Sequence, residues 1–174
     1  MMSFDEFRAA WLGSDDPDVK KRNRELIKRY PFLLPRSQWS GKKIEGYDYE
    51  FTELDDMPEG WREAFGLKMC EELLHILNDA DYAEKYRILQ IKEKFGYLHW
   101  YSGSVPNRIY DRYLDWLTGY EELSEHTCIV CGKPGHMMNT GWISPYCEDC
   151  FHKYFGADKD YEKYRLDKEE DDDE

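Results

Sequence analysis

The sequence predicts an α+β fold in which helices surround a small antiparallel sheet and a cysteine-rich module follows at the C-terminus. Three observations lead to this class: apolar residues recur at helical spacing in several stretches, one stretch has the pattern of a β-hairpin, and four cysteines form two C-x-x-C pairs near the end. A chain of 174 residues, of which 41% are hydrophobic and 16% aromatic, is long enough to bury one good core.

The first two predicted elements are helices marked by their N-terminal signals. Ser3 to Glu6 form a capping-box pattern, after which apolar residues follow at helical spacing and Gly13 ends the segment. Asp16-Pro17 begins the second helix, because proline suits the first helical turn. The other faces of this helix are basic, which indicates a solvated surface or, alternatively, a phosphate-binding patch. The basic residues are Lys20, Lys21, Arg22, Arg24, Lys28 and Arg29.

A short strand and a long helix are predicted next. Tyr47, Tyr49 and Phe51 alternate with polar residues, which favours one strand. A long amphipathic helix then covers residues 58–78, and Cys70 falls on or near its apolar face. A buried structural thiol is the expected role of this cysteine, because no neighbour in sequence would lower its pKa.

The second half of the core combines a hairpin with a third long helix. Residues 86–101 predict two strands around the turn Lys94-Phe95-Gly96. Apolar residues from Ile109 to Leu123 recur at helical spacing, and this helix leads almost directly into Cys128. We therefore expect the cysteine module to be closely tethered to the core.

The two C-x-x-C pairs are the sharpest motif of the chain. Cys128 and Cys131 form the first pair, Cys147 and Cys150 form the second, and fifteen residues lie between the two pairs. Four thiolates at this spacing suit one tetrahedral Zn²⁺ with Zn–S distances of about 2.3 Å. Because four protein ligands close the coordination shell, the predicted site is structural rather than catalytic.

Alternatives to a four-cysteine zinc site remain open at this point. A histidine could replace one of the cysteines, and the candidates are His126, His136 and His152. A redox dithiol pair would need a thioredoxin-like context, and an iron–sulfur cluster would need a different spacing. The surrounding pattern favours a ribbon or treble-clef-like module, with a glycine-containing knuckle after Cys131 and a short helix from Cys147 to Phe155.

These elements suggest a division of the chain into three parts. Residues 1–124 form the α+β core domain, residues 125–156 form the zinc-binding module packed on it, and residues 157–174 form an acidic tail expected to be disordered. No apolar run approaches a membrane span, and the N-terminus lacks a signal-like apolar segment. Since four of five cysteines have metal-ligand spacing, we expect a reducing, cytoplasmic location without membrane contact.

The charge of the chain bears on its partners. Its formal net charge is −13, and residues 37–127 alone hold nineteen acidic and ten basic residues. Such a field repels phosphate backbones and favours a basic protein partner, such as a nuclease, a toxin or a nucleic-acid-binding protein. Direct nucleic-acid binding through the zinc module is the alternative, although this module contributes only Lys133 and Lys153 as basic residues.

An enzyme is not supported by any motif. The sequence has no P-loop, no dinucleotide-binding glycine pattern, no G-x-S-x-G elbow and no H-E-x-x-H pair. Glu72 and His75 have the spacing used in di-iron bundles, but such bundles need two copies and further glutamates. We therefore expect a non-enzymatic interaction or regulatory protein.

The segments QIKEKFGYLHWY, TCIVCGKPG and GWISPYCEDC together carry a resemblance. The chain resembles uncharacterised bacterial and prophage-borne proteins that have a QIKEKFG-type hairpin followed by a C-terminal zinc ribbon. The similarity covers about residues 30–150 and implies a bacterial or mobile-element origin, but no established activity. Some of these proteins have histidine at the last ligand position, whereas this chain has Cys150, which preserves the capacity to bind zinc.

Overall fold

The computed structural model describes residues 1–168 and has the predicted α+β fold. The helices are α1 (Phe4–Leu12), α2 (Pro17–Arg29), α3 (Glu59–Trp61), α4 (Leu67–Asn78), α5 (Asn107–Glu125), α6 (Glu148–Phe155) and α7 (Tyr161–Tyr164). The strands are β1 (Ile88–Lys94), β2 (Tyr97–Ser102), β3 (His136–Asn139) and β4 (Ile143–Tyr146). They form two antiparallel pairs, β1–β2 and β3–β4.

Helix α1 begins with the predicted capping box. The Ser3 amide donates to Glu6 Oε2 at 2.7 Å, and the Glu6 amide donates to Ser3 Oγ at 3.1 Å. The buried side chain of this helix is Arg8, which forms ion pairs with Glu53 and Asp56 at 2.8 and 2.6 Å. Helix α1 is thus anchored by a buried ion pair, while its aromatic residues are exposed.

The prediction of a strand at residues 47–52 is wrong. These residues form an irregular segment that passes into a 3-10 turn, Glu53–Asp56. Tyr49 has φ +63°, a left-handed conformation that no strand accommodates, and its carbonyl oxygen accepts a hydrogen bond from buried Asn23 at 2.8 Å. Phe51 is nevertheless buried, so the aromatic alternation reflected packing in a loop.

The long helix predicted over residues 58–78 forms with an interruption. A π-helical turn, Arg62–Gly66, lies between α3 and α4. The fully buried side chains of this region form the centre of the core, and they are Trp61, Met69, Cys70, Leu73 and Leu77. Burial raises the pKa of the Cys70 thiol to about 12, which is consistent with the predicted structural role.

The β1–β2 hairpin and α5 complete the core. Ile91 pairs with Trp100 in the antiparallel register, and Trp100 packs edge-on against Trp116 of α5 with ring centroids 5.4 Å apart. Tyr86 accepts a hydrogen bond from the Trp100 indole at 2.9 Å and shares another with Tyr113 at 2.7 Å. Buried polar atoms of this aromatic layer are therefore satisfied within the core.

The C-terminal part extends further than the predicted module. Residues 157–168 of the predicted disordered tail are packed: Tyr161 of α7 is buried against Phe151, and the Leu166 amide donates to the Met137 carbonyl at 2.9 Å. The expectation is thus wrong for these residues, because aromatic side chains spaced among the charges bury against α6. The rest of the predicted tail, residues 169–174, lies outside the described residues.

Candidate metal centre

The structure brings the four predicted ligand cysteines together. The Sγ atoms of Cys128, Cys131, Cys147 and Cys150 all lie within 4.8 Å of one another, and those of Cys131 and Cys147 are 3.6 Å apart. Four sulfur atoms around one Zn²⁺ at about 2.3 Å would be separated by about 3.8 Å. The cluster therefore has the dimensions of a tetrahedral thiolate site.

The first C-x-x-C pair lies in a tight backbone turn between α5 and β3. The Cys128 amide donates to the Lys133 carbonyl at 2.7 Å, and the Gly132 amide donates to the Cys128 carbonyl at 3.0 Å. Gly132 has φ +78°, a conformation that glycine adopts without steric cost. This turn is the predicted knuckle, and it places both thiols on the same side of the backbone.

The second pair lies at the start of α6. Cys147 is the N-cap residue, and its Sγ accepts a hydrogen bond from the Cys150 amide at 3.4 Å. The helix N-terminus concentrates N–H groups and partial positive charge, which favours thiolates at both positions. Gly156 ends the helix with φ +123°, as the sequence predicts.

The thiols in this cluster influence one another's ionisation. Burial raises the pKa of Cys147 and of Cys150. Burial also opposes ionisation of Cys131, but the Lys133 N–H and the neighbouring thiols outweigh it and lower the pKa of Cys131. Three of the four adjacent thiols are buried, so all four cannot ionise without a compensating cation, which a divalent metal with a preference for sulfur would supply.

Two of the three alternative histidine ligands have other partners. His136 Nδ1 lies 2.6 Å from Asp167 Oδ2, and His152 Nε2 lies 3.1 Å from the Lys159 carbonyl. His126 is exposed and outside the sulfur cluster. Among residues 1–168, the group that could hold a metal ion consists of cysteines alone.

Contacts with α3 fix the metal centre to the core. The Gly60 amide donates to the Ile129 carbonyl at 2.9 Å, and the indole N–H of buried Trp61 donates to the Thr127 carbonyl at 2.9 Å. Thr127 in turn donates from its hydroxyl to the Leu123 carbonyl in the last turn of α5 at 2.8 Å. Sequence reasoning missed these residues, because a glycine in the first turn of a helix gives only a weak signal of close backbone approach.

The sequence offered two other candidate sites, the Glu72–His75 pair and the basic face of α2. Most of their side chains contact other residues of the chain. Glu72 accepts a hydrogen bond from the Tyr120 hydroxyl at 2.7 Å, whereas His75 Nε2 lies 3.5 Å from Glu71 Oε1, so each residue has a different partner. Several basic residues of α2 are also paired. Lys20 and Arg24 lie 3.1 and 3.5 Å from Asp48.

No family model, curated protein or solved structure matches the chain. Within residues 1–168, no helix combines the length and the apolar character needed to cross a membrane. The function must therefore be inferred from the residues and their geometry.

Proposed function

We propose that the protein is a non-enzymatic interaction protein of bacterial or mobile-element origin, in which one structural Zn²⁺ holds the C-terminal module and an acidic surface binds a basic protein partner. The cytoplasmic location expected from the reduced cysteines belongs to the same proposal. The observation that supports binding of a basic partner is a stripe of acidic residues on α5, the helix that leads into the metal centre. The stripe consists of Asp111, Asp115, Glu122 and Glu125.

The acidic stripe has the geometry of an interaction surface. At 100° per residue its four carboxylates fall within a sector of about 80°, and they extend over about 21 Å of helix. The opposite side of α5 is buried through Tyr113, Trp116 and Tyr120. Within the described part of the chain, none of the four carboxylates takes part in an ion pair, so their charge is available to a partner.

Zinc is the metal that best fits the centre. The four donors are thiolates in two C-x-x-C pairs, within the distances of a tetrahedral site, and such sites favour Zn²⁺ over harder cations. With all four positions taken by protein, the ion would stabilise structure rather than bind substrate. By analogy with zinc-finger peptides, it would contribute on the order of 10 kcal/mol to folding.

The metal centre lies directly after the helix that carries the acidic stripe, and hydrogen bonds hold the short connection between them. Only Thr127 and His126 separate Cys128 from the end of α5, and Thr127 is held by both Trp61 and Leu123. A bound ion would therefore fix the C-terminal end of the helix that carries the stripe. This link gives a structural zinc site a direct consequence for partner binding.

Direct nucleic-acid binding through the zinc module and α2 is less favoured. The ion pairs of Lys20 and Arg24 with Asp48 remove part of the basic footprint that this alternative requires. Arg29 is also paired, because its guanidinium lies 2.5 Å from Glu71.

Affinity capture with matched variants tests the acidic-surface proposal. The stripe variant carries Asp111→Asn, Asp115→Asn, Glu122→Gln and Glu125→Gln. The control variant neutralises four exposed acidic residues on other elements and carries Glu25→Gln, Glu45→Gln, Glu63→Gln and Glu84→Gln. Both variants change the net charge equally, so only a local role of α5 distinguishes them.

We expect the wild type and the control to retain the same basic protein from bacterial lysate, and the stripe variant to lose it. Binding of the purified partner should weaken as salt is raised, since exposed charges are screened over about 10 Å at 0.1 M. Equal retention by both variants, or no basic partner at low salt, would contradict the proposal.

A further inference from the structure

The outer face of the β1–β2 hairpin has a composition unlike the rest of the protein. Residues directly opposite in an antiparallel pair point to the same face. Ile91 and Trp100 form a buried pair, so the alternate pairs form the outer face. These pairs are Gln90–Tyr101, Lys92–His99 and Lys94–Tyr97. They include no carboxylate, in a chain with 37 acidic residues.

Aromatic rings form a continuous row along this face. The ring centroids of Tyr97 and His99 are 5.1 Å apart and those of His99 and Tyr101 are 5.9 Å apart, with interplanar angles of 27° and 22°. Lys92 Nζ lies 5.6 Å from the Tyr101 ring centroid, and Lys94 Nζ lies 5.6 Å from that of Phe95. Each ammonium group is thus positioned beside an aromatic ring.

Phe95, at the tip of the hairpin, occupies a conformation that suits it poorly. Phe95 and Gly96 form a two-residue turn with φ values of +53° and +88°, which corresponds to a type I′ turn. Asparagine or glycine is preferred at the first position, and a bulky residue there is strained. Yet Phe95 is 65% exposed, so burial does not explain its presence. Strain at an exposed aromatic residue indicates a functional role.

The C-terminal module lies against the tip of the β1–β2 hairpin. A Cβ at Gly96 would overlap Met137 Sδ of β3 and lie 3.2 Å from Ile143 Cγ2 of β4, so the two hairpins are in close contact. Trp142 precedes Ile143 and is 67% exposed. The exposed rings of Phe95 and Trp142 thus belong to two hairpins that contact each other at Gly96.

The His99 ring lies in the middle of the aromatic row and is suited to stacking. Burial, followed by the charges of Lys94 and Lys92, lowers its pKa, so the imidazole is neutral at pH 7 and available for stacking. Its Nε2 atom is buried and has no hydrogen-bond partner among residues 1–168.

We propose that the outer face of the β1–β2 hairpin binds single-stranded nucleic acid. Bases stack on the exposed rings of Tyr101, Phe95 and Trp142, while Lys92 and Lys94 contact phosphates. Aromatic side chains alternating with positive charge are the combination by which proteins hold single strands without sequence preference. At about 0.1 M salt, screening over about 10 Å lets these local lysines outweigh the distant acidic surface.

This site is independent of the acidic-surface proposal, because it lies on a different element and binds the opposite charge. It also differs from a footprint on α2 or on the cysteine turns. An acidic peptide could satisfy the lysines, but it would leave the aromatic row and the strained Phe95 without a role. A single strand uses both features.

Fluorescence anisotropy with fluorescein-labelled twelve-nucleotide oligouridylate and oligothymidylate tests the site in the zinc-loaded, full-length protein. The lysine variant, Lys92→Gln with Lys94→Gln, is compared with Lys21→Gln and Lys28→Gln on α2, which makes the same charge change. We expect the hairpin variant to bind at least about tenfold more weakly and its salt slope to fall by about 1.4, the value for two lost phosphate contacts. The α2 variant should bind like the wild type.

Phe95→Asn separates binding from folding. Asparagine suits the type I′ position, so the denaturation midpoint should stay constant or rise, while affinity falls at least about fivefold as one stacking contact is lost. Any of several results would overturn the proposal: no binding of either oligonucleotide at about 50 mM salt, equal binding of a duplex, equal loss in the α2 variant, unchanged affinity of Phe95→Asn, or equally effective displacement by polyglutamate.

Discussion

The amide nitrogen of Gly60 lies 2.9 Å from the carbonyl oxygen of Ile129, and this hydrogen bond joins the first turn of α3 to the first cysteine turn. The approach is close in both directions. A Cβ at Gly60 would overlap the Cys128 carbonyl oxygen, and one at Gly132 would lie 2.6 Å from the Gly60 carbonyl oxygen. The metal centre and the core are therefore in direct backbone contact.

This contact predicts a large effect of a small substitution. Gly60→Ala should lower the free energy of unfolding by about 1–3 kcal/mol, because the methyl group meets backbone that cannot move aside cheaply. Gly119→Ala in α5 is the control, since a Cβ there has open space and alanine favours a helix by up to about 1 kcal/mol. Urea denaturation measures the free energy of unfolding of both variants. Equal values for the two would show that Gly60 is not in close contact with the cysteine turn.

Elements with local signals could be predicted from the sequence. The capping box at Ser3, the proline at the start of α2 and the Phe95-Gly96 turn each depend on residues within a few positions. The strand expected at residues 47–52 failed for the opposite reason. Its backbone is held by Asn23 from α2, a contact across 26 residues that no local pattern contains.

The same distinction applies to the metal centre. Two C-x-x-C pairs identify the candidate ligands because each pair lies in one turn. Their attachment to the core depends on Gly60 and Trp61, which are more than sixty residues away from the cysteine turn. The packing of residues 157–168 was not predicted because most of the tail consists of charged residues. Tyr161 and Tyr164 nevertheless have the spacing of one helical face.

The metal centre predicts a defined stoichiometry and a defined loss. Metal analysis of the purified protein should give about one Zn²⁺ per chain, and Cys147→Ser should release it and loosen the C-terminal third, because one of four ligands is removed. Cys70→Ser is the control, since that thiol lies in the core outside the cluster, and it should keep the metal. A folded protein without metal, with disulfides at these cysteines, would contradict the assignment.

The packing of α7 predicts that part of the supposed tail contributes to stability. Tyr161 is buried against Phe151 and donates a hydrogen bond to the Tyr146 carbonyl at 2.6 Å. Tyr161→Ala should therefore destabilise the C-terminal module by about 3 kcal/mol, as expected for an aromatic side chain removed from a core. Tyr154→Ala is the matched control because that ring is largely exposed, and its effect should stay within about 0.5 kcal/mol. Hydrogen exchange of α6 amides would show the difference.

The buried ion pair between Arg8 and Glu53 predicts a pH dependence of stability. Burial raises the pKa of Glu53 to about 7, although Arg8 opposes this shift. Between about pH 4.5 and 7 the folded state therefore binds a proton that the unfolded state has released, and the free energy of unfolding falls as pH rises through this window. The stabilisation that comes from protonation of Glu53 in the folded state is complete below about pH 4.5 and lost above about pH 7.

Glu53→Gln removes this titration and keeps a polar group beside Arg8. The difference in unfolding free energy between wild type and variant should shift against the wild type as pH rises from 4.5 to 7, by on the order of 1 kcal/mol per pH unit. Taking the difference cancels the titration of groups that contact neither Glu53 nor Arg8, which leaves out Asp56 because it shares Arg8 with Glu53. Urea denaturation at half-unit pH intervals measures it. A constant difference across the window would show that Glu53 titrates alike in the folded and unfolded chains.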